Sequence, residues 1–254
     1  MRQVRLDAKT WYNAQMRVEP HGVGSILHVI KRGTRGVEIV RDESDRIRFS
    51  KALFYLNDEH DVGDWMRDTE ALAEFERPHA WPERKPLTQV LAWTLMPNHF
   101  HLLLRESTDG GVAKFMQRLG GSMTTHFNAK YGEKGSLFQG GYKAKTIDSD
   151  SYLRYLVQYI LVKNVFELHP GGLKKAMSEF DRAWERAQRY SFSSLHSCIS
   201  DKSDLTQDIV DIDSIDSLGL RMSPALFKKR AQEMLETHMT TRSEDFDALL
   251  LEQW

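Results

Sequence analysis

The chain has 254 residues, of which 41% are hydrophobic and 28% charged, and its formal net charge is −1. This length accommodates one large domain or a domain with an appendage, and no apolar run is long enough to span a membrane. The single cysteine, Cys198, excludes an intrachain disulfide framework. Because no apolar stretch of a signal peptide follows Met1, we expect a reducing, cytoplasmic setting.

The near-neutral charge is distributed unevenly along the chain. Residues 112–190 contain 13 Lys and Arg against 7 Asp and Glu, whereas residues 191–254 contain 6 against 12. A basic middle segment favours an anionic ligand, although a solvated helix face would show the same composition.

The first third of the chain predicts a strand, a short second strand, a helix and an irregular insertion. Ser25 to Ile30 is apolar and strand-like, residues 31–36 form a basic loop with two glycines, and residues 37–40 predict a short second strand. A helix is predicted from Asp42 to about Asn57, capped by Asp42 or Ser44. Residues 58–86 are polar and contain three prolines, which is typical of an irregular insertion or a broken helix.

The remaining elements predict an α+β fold. They comprise strands at 87–94 and 99–105, a helix at 111–130, a strand or hairpin at 136–147 and a helix at 151–166. This order indicates an antiparallel sheet with helices packed on one face. After about Ser191 the pattern changes, and a helix starts at Pro224. We therefore divide the chain into a main domain, residues 1–190, and an acidic helical C-terminal tail, residues 191–254.

Two histidines lie one residue apart at the start of the second of these central strands. Because side chains alternate on a strand, His99 and His101 project from the same face, and Phe100 points to the other. Two imidazoles on one face can bind a divalent cation, but a third ligand or water must complete the site. A pair of structural histidines is the simpler interpretation of the motif alone.

The helix at 151–166 has a tyrosine stripe formed by Tyr152, Tyr155 and Tyr159. Packing against the sheet explains such a stripe, and we expect it for two of the three. The third could act as a nucleophile on phosphorus if a metal or cation assists the phenol. Lys163, one turn after Tyr159, could supply positive charge there or lie in solvent.

Basic residues interleaved with aromatic rings are typical of surfaces that bind single-stranded nucleic acid. One such cluster contains Lys143 and Lys145 beside Phe138 and Tyr142. Further candidates for DNA binding lie in the loop after the first strand and on the helix at 111–130: Lys31, Arg32, Arg35 and Arg118.

Taken together, these motifs resemble the HUH-type tyrosine transposases, and among them the IS200-like transposases associated with repeated extragenic palindromes. The strongest resemblance is Leu95-Met96-Pro97-Asn98-His99-Phe100-His101-Leu102-Leu103, which is similar to the family's metal-binding motif. Residues 29–33, 42–49 and 135–143 resemble the opening strand, the first helix and the hairpin before the nucleophile. Tyr159-Ile160 with Lys163-Asn164-Val165 resembles the tyrosine helix. The resemblance covers about residues 24–172.

The resemblance implies a ferredoxin-like, RRM-like fold and cleavage of single-stranded DNA beside a hairpin. It implies that His99 and His101 hold Mg²⁺ or Mn²⁺ and that Tyr159 attacks the scissile phosphate to form a 5′-phosphotyrosine link. Tyr155 is the fallback nucleophile. Lys163 is implied to be close to the DNA. The protein would act as a monomer or a homodimer, with no membrane partner.

One departure from the family pattern concerns the third metal ligand. Relatives place Gln or Asn one helical turn after the tyrosine, but here that position is Lys163, and Asn164 comes one residue later. A protonated lysine cannot bind metal. Either a local helix distortion brings Asn164 into the site, or water takes the position, or the nucleophile is a different tyrosine. A non-catalytic or domesticated single-strand-binding protein of the same fold is the alternative function, and an unrelated metal-dependent hydrolase is a third.

Overall fold

The computed structural model describes residues 21–200 and 208–240. The strands are β1 (Ile26–Arg32), β2 (Thr88–Leu95), β3 (His99–Glu106) and β4 (Lys143–Thr146). The helices up to β4 are α1 (Glu43–Tyr55), α2 (Trp65–Asp68) and α3 (Gly111–Tyr131), with a 3₁₀ turn at Thr34–Gly36. After β4 follow α4 (Asp150–Gln158), a π-helical turn (Tyr159–Lys163), α5 (Asn164–Glu167), α6 (Gly172–Ser178), α7 (Phe180–Gln188), α8 (Leu195–Ile199), α9 (Ile212–Ser217) and α10 (Pro224–Thr240).

The four strands form one antiparallel sheet in the order β2-β3-β1-β4. A helix joins β1 to β2, a tight turn joins β2 to β3, and α3 joins β3 to β4. This is the ferredoxin-like βαββαβ connection, with the first and third strands at the centre of the sheet. The predicted α+β fold is therefore confirmed.

Helices cover both faces of the sheet. Phe49 of α1 packs against Trp93 and Phe100, with ring centroids 6.1 and 5.0 Å apart, and α3 packs beside α1. The two crossover helices thus occupy one face, as predicted. On the opposite face, Thr94 and His101 meet the π-helical turn. The strand that carries His99 and His101, β3, therefore lies between two helical layers.

Two local predictions were wrong. Residues 37–40 form no strand; the Ile39 backbone N–H instead donates to the Pro97 carbonyl, 2.7 Å away, while the Ile39 side chain enters the core. Of the segment 136–147, only Lys143–Thr146 is a strand. Phe138 pairs with Gly33 at a single bridge just beyond the end of β1. Continuous pairing with β1 begins only at Lys143.

The described part of the C-terminal tail packs onto the body of the protein. The backbone of residues 192–194 hydrogen-bonds along the outer edge of β2, which protects that edge from pairing with another chain. Leu195 and Phe227 join the same buried core as the sheet, and α10 lies on α4 and the π-helical turn. The division of the chain into two parts at residue 190 stays a prediction. Both parts include residues outside the described ranges, namely residues 1–20, 201–207 and 241–254. No described helix has the length and apolarity needed to cross a membrane.

A buried carboxylate joins the start of α1 to the end of α3. Asp42 caps α1, as predicted, and receives the Asp45 N–H at 3.0 Å. Asp45 accepts hydrogen bonds from Lys130 at 2.8 Å and from the Tyr131 hydroxyl at 2.7 Å. Burial alone would raise the pKa of Asp45, but these hydrogen bonds outweigh it and lower the pKa to about 2. Asp45 therefore stays ionised and holds the two crossover helices together.

We expect Asp45→Asn to lower the free energy of unfolding by about 2 kcal/mol at pH 7, as the pKa shift implies. The carboxylate stabilises the fold above its unfolded pKa, near 4, and this contribution is lost as the pH falls through about 2. Urea titrations from pH 7 to pH 2 should show the difference between wild type and variant shrinking toward zero. The exposed Asp109→Asn serves as the matched control and should change little. A constant difference across this range would contradict the role of the charge.

Candidate active site

The histidine pair lies on the sheet face that meets the tyrosine helix. The ring centroids of His99 and His101 are 5.0 Å apart. His101 is fully buried and His99 is half-buried. Phe100, between them, packs on the opposite face against Phe49. The alternation predicted from sequence therefore places both imidazoles on one surface.

Each histidine is oriented through its Nδ1 atom. His99 Nδ1 lies 2.6 Å from Asn98 Oδ1, and His101 Nδ1 lies 3.0 Å from the Nε2 of His28. When Nδ1 is held by a hydrogen bond, Nε2 is the ring nitrogen that faces a metal, and such outer partners fix the ring orientation. Sequence reasoning missed His28. Its signal was a single polar residue inside the apolar run of β1.

The electrostatic surroundings keep His101 neutral. Burial, followed by the proximity of His99, His28 and Lys163, holds its pKa well below the usual value. A neutral imidazole is the form that binds a metal ion. His101 is therefore in the correct protonation state for a ligand at neutral pH.

A buried hydrogen bond places the tyrosine helix over the histidines. Thr94 of β2 pairs with His101 of β3, so their side chains share a face. Thr94 Oγ1 donates to the Ile160 carbonyl at 2.7 Å. Tyr159, the preceding residue, consequently lies with its ring centroid 6.2 Å from that of His101.

Tyr159 is fully buried, and its hydroxyl accepts a hydrogen bond from Lys163 Nζ at 2.9 Å. Lys163 is itself buried and forms an ion pair with Glu167 at 2.8 Å. Tyr155 stacks on Tyr159, but its hydroxyl lies 3.2 Å from His238 of α10. The geometry thus favours Tyr159 over Tyr155 as the tyrosine of the site. It also shows that α10 covers this tyrosine, since the His238 ring packs 5.8 Å from that of Tyr159.

The helix that carries Tyr159 is not α-helical throughout. From Tyr159 to Lys163 it forms a π-helical turn, in which the Asn164 N–H donates to the Tyr159 carbonyl. Such a turn holds one extra residue, and π turns occur frequently at functional sites. The fifth residue after Tyr159 thereby takes the place that the fourth has in an α-helix. The sequence left open whether a distortion, water or another tyrosine explains the Asn164 spacing, and the structure contains the distortion.

Asn164 is the polar group best suited to complete a metal site. It is fully buried, and neither its Oδ1 nor its Nδ2 hydrogen-bonds to any described residue. An unsatisfied buried amide costs about 1–3 kcal/mol, and a cation bound to its oxygen would relieve part of that cost. Among the described residues, no group of three or more His, Cys, Asp or Glu converges on a metal position. The assignment of His99, His101 and Asn164 as metal ligands stays a prediction.

The predicted DNA-binding residues divide into two groups. Lys31 is almost fully buried and donates to the Gly140 carbonyl, and Arg118 donates to the carbonyls of Asp58 and His60. Together with Lys163, these side chains are held by protein groups, which does not favour direct contact with DNA.

The second group remains on accessible surface. Lys143 and Lys145 lie opposite Ile30 and His28, so they share the histidine face of the sheet. Arg35 is exposed, and Arg32 lines a cavity of about 480 Å³ that opens at His99. This cavity, the site mouth, also includes Asn98, Glu167 and Leu168. The role of all these residues in DNA binding stays a prediction.

The chain is similar to known proteins in one family comparison and in one comparison of structures. Residues 83–163 match the family described as "Transposase IS200 like". Among solved structures, the chain is similar to a REP-associated tyrosine transposase bound to a REP hairpin, with 15% identity over 78% of this chain and 88% of that one, at a TM-score of 0.39. At that score the likeness does not by itself establish a shared fold. No curated protein matches the chain. The matched segment, residues 83–163, contains both histidines and Tyr159, and over this third of its length the chain is similar to the IS200-like transposases.

Proposed function

We propose that this transposase is of the HUH tyrosine type and that it cleaves and rejoins single-stranded DNA through a 5′-phosphotyrosine intermediate. The observation that carries the proposal is the placement of Tyr159 beside His101 on the face that also holds His99. The match of residues 83–163 to the IS200-like transposases supports DNA transposition in general. The cytoplasm is the proposed location, because the single cysteine is buried and forms no disulfide. The active form is proposed to be a monomer or a homodimer.

The residues present fit a divalent cation. His99, His101 and the Asn164 amide oxygen would hold Mg²⁺ or Mn²⁺, and the buried Asn164 amide with no described hydrogen-bond partner supports this assignment. When bound, the ion would polarise the scissile phosphate. Both ions accept nitrogen and oxygen ligands alongside water, which would fill the remaining positions.

The protein's own residues supply the nucleophile and its charge balance. The Tyr159 oxygen would form a bond to phosphorus as the bond from phosphorus to the 3′ oxygen breaks, and the departing oxygen would take up a proton to become a 3′-hydroxyl. Lys163 Nζ, 2.9 Å from the phenol oxygen, would stabilise the negative charge that develops when the phenol proton leaves. Attack by a 3′-hydroxyl reverses the step, so rejoining needs no external energy source.

Single-stranded DNA that forms hairpins is the proposed substrate. Arg32 at the site mouth and Lys143 and Lys145 on the histidine face are placed to contact its phosphates. Arg35, three residues after Arg32, is exposed and is also proposed to contact the phosphates.

One observation favours the alternative of a non-catalytic DNA-binding protein. Tyr159 has no exposed surface and packs under His238. A phosphate can reach the phenol only after α10 or a neighbouring segment moves. The catalytic proposal therefore requires a conformation in which this cover is displaced.

The first prediction concerns the nucleophile. The full chain is incubated with Mn²⁺ and a labelled pool of oligonucleotides that carry a stem–loop flanked by random single strands, and SDS-resistant adducts are counted. We expect Tyr159→Phe to reduce the adduct by at least about 10³-fold, because the attacking oxygen is removed. The matched control Tyr155→Phe, which removes the neighbouring hydroxyl, should retain the adduct.

Loss of the adduct in Tyr155→Phe but not in Tyr159→Phe would exclude Tyr159 as the nucleophile. Tight DNA binding with no adduct in any metal would favour the non-catalytic alternative.

The second prediction concerns the metal ligands. At a concentration tenfold above its Kd, Mn²⁺ should stabilise the wild-type fold by about 1.4 kcal/mol, since it binds only the native site. Thermal melts with and without Mn²⁺ should show this shift reduced in His99→Ala and in Asn164→Ala. The exposed His79→Ala should retain the full shift. An undiminished shift in Asn164→Ala would leave water, not the amide, as the third ligand.

A further inference from the structure

A second cavity lies beside the site mouth, and three of the residues that line it are arginines. Its volume is about 520 Å³, and we call it the arginine cavity. The charged side chains that line it are Lys175, Glu179, Arg182, Glu185, Arg186 and Arg189. None of these cations was among the DNA-binding residues predicted from sequence.

The three arginines form one exposed face of α7. Arg182, Arg186 and Arg189 are spaced at i, i+4 and i+7, so they share a helix face, and all three are exposed. The other face of the same helix is buried through Ala183 and Trp184. The rise of an α-helix places Arg182 and Arg189 about 10 Å apart along its axis. A rigid, packed helix therefore presents a row of cations rather than a mobile tail.

Neighbouring carboxylates neutralise only part of this positive charge. Glu179 pairs with Lys175 at 2.5 Å and lies 4.0 Å from Arg182. Arg186 and Arg189 form no ion pair with any residue in the described ranges. The cavity therefore has four cations, Lys175, Arg182, Arg186 and Arg189, against two carboxylates. An excess of guanidinium groups favours an anionic ligand, and phosphate is the anion that their planar fork fits best.

The arginine cavity adjoins the site mouth. Glu167 and Leu168 line the mouth, and the next two residues, His169 and Pro170, line the arginine cavity. A strand whose scissile phosphate enters the mouth could therefore continue across α7. A row of this length can contact more than one phosphate of the same DNA strand.

The residues that line the cavity favour the binding of paired DNA over unpaired DNA. Surfaces that bind single strands combine cations with aromatic rings on which bases stack. Within the described ranges, no Phe, Tyr or Trp lines the arginine cavity. Contacts limited to phosphates suit a duplex, whose bases are stacked on one another and need no platform.

We propose that the arginine cavity binds the phosphate backbone of the paired stem of a DNA hairpin, next to the site mouth. This proposal rests on the proposed function only in taking DNA as the substrate. It assigns Arg182, Arg186 and Arg189 as binding residues that position the stem and do not take part in the chemistry.

Binding is measured without cleavage, so that the test does not depend on Tyr159 being the nucleophile. The affinity of the full chain in EDTA is titrated against salt for two probes, a stem–loop oligonucleotide and an unpaired oligonucleotide of the same length. The triple variant Arg182→Gln, Arg186→Gln, Arg189→Gln should bind the stem–loop at least about tenfold more weakly at 0.1 M salt. The slope of log affinity against log salt should fall by about 3.

The matched control is Arg67→Gln, an exposed arginine on α2 that should leave both affinity and slope unchanged. Thermal melts verify that the triple variant is folded. Equal affinity and slope in the triple variant and the wild type would overturn the proposal. An equal loss for both probes would overturn the assignment to the paired stem. Because neither measurement involves an adduct, a failure of the nucleophile assignment would be seen separately.

Discussion

The hydrogen bond from Thr94 to the Ile160 carbonyl is the constraint on which the site depends. It joins a sheet strand to the helix that follows the ferredoxin-like fold, in a fully buried position where an unpaired partner would be costly. The pairing of Thr94 with His101 then determines which strand position lies beneath the helix. Tyr159 and the histidines belong to distant parts of the sequence, and this one contact sets their separation.

The main features of the fold and half of the site could be predicted from sequence because they depend on local periodicity. Strand alternation is sufficient to place His99 and His101 on one face, and the order of elements is sufficient for an antiparallel α+β sheet. The capping residue Asp42 and the start of α10 at Pro224 were equally local and were confirmed. Such features need no knowledge of what packs against them.

The remaining features depend on tertiary contacts that sequence reasoning cannot supply. Lys31 and Arg118 are basic residues of the kind found on DNA-binding surfaces, yet both donate hydrogen bonds to backbone carbonyls of distant loops. His28 reaches the site only because β1 pairs beside β3 at a particular register. The arginine face of α7 did have a local signal, the i, i+4, i+7 spacing, but its importance comes from the adjoining cavity. The roles of polar residues are therefore the least predictable part of this protein, because they depend on which groups lie next to them in the folded structure.

The π-helical turn has a consequence for comparing this protein with its relatives. An extra residue in one turn rotates everything after it by roughly 100° relative to an uninterrupted α-helix. A residue-by-residue alignment through Tyr159 would thus assign the role of the amide to Lys163 and misplace each later position by one. The match to the family ends at residue 163, the last residue of the turn. An alignment that allows one inserted residue at this turn would place Asn164, not Lys163, one helical turn after Tyr159.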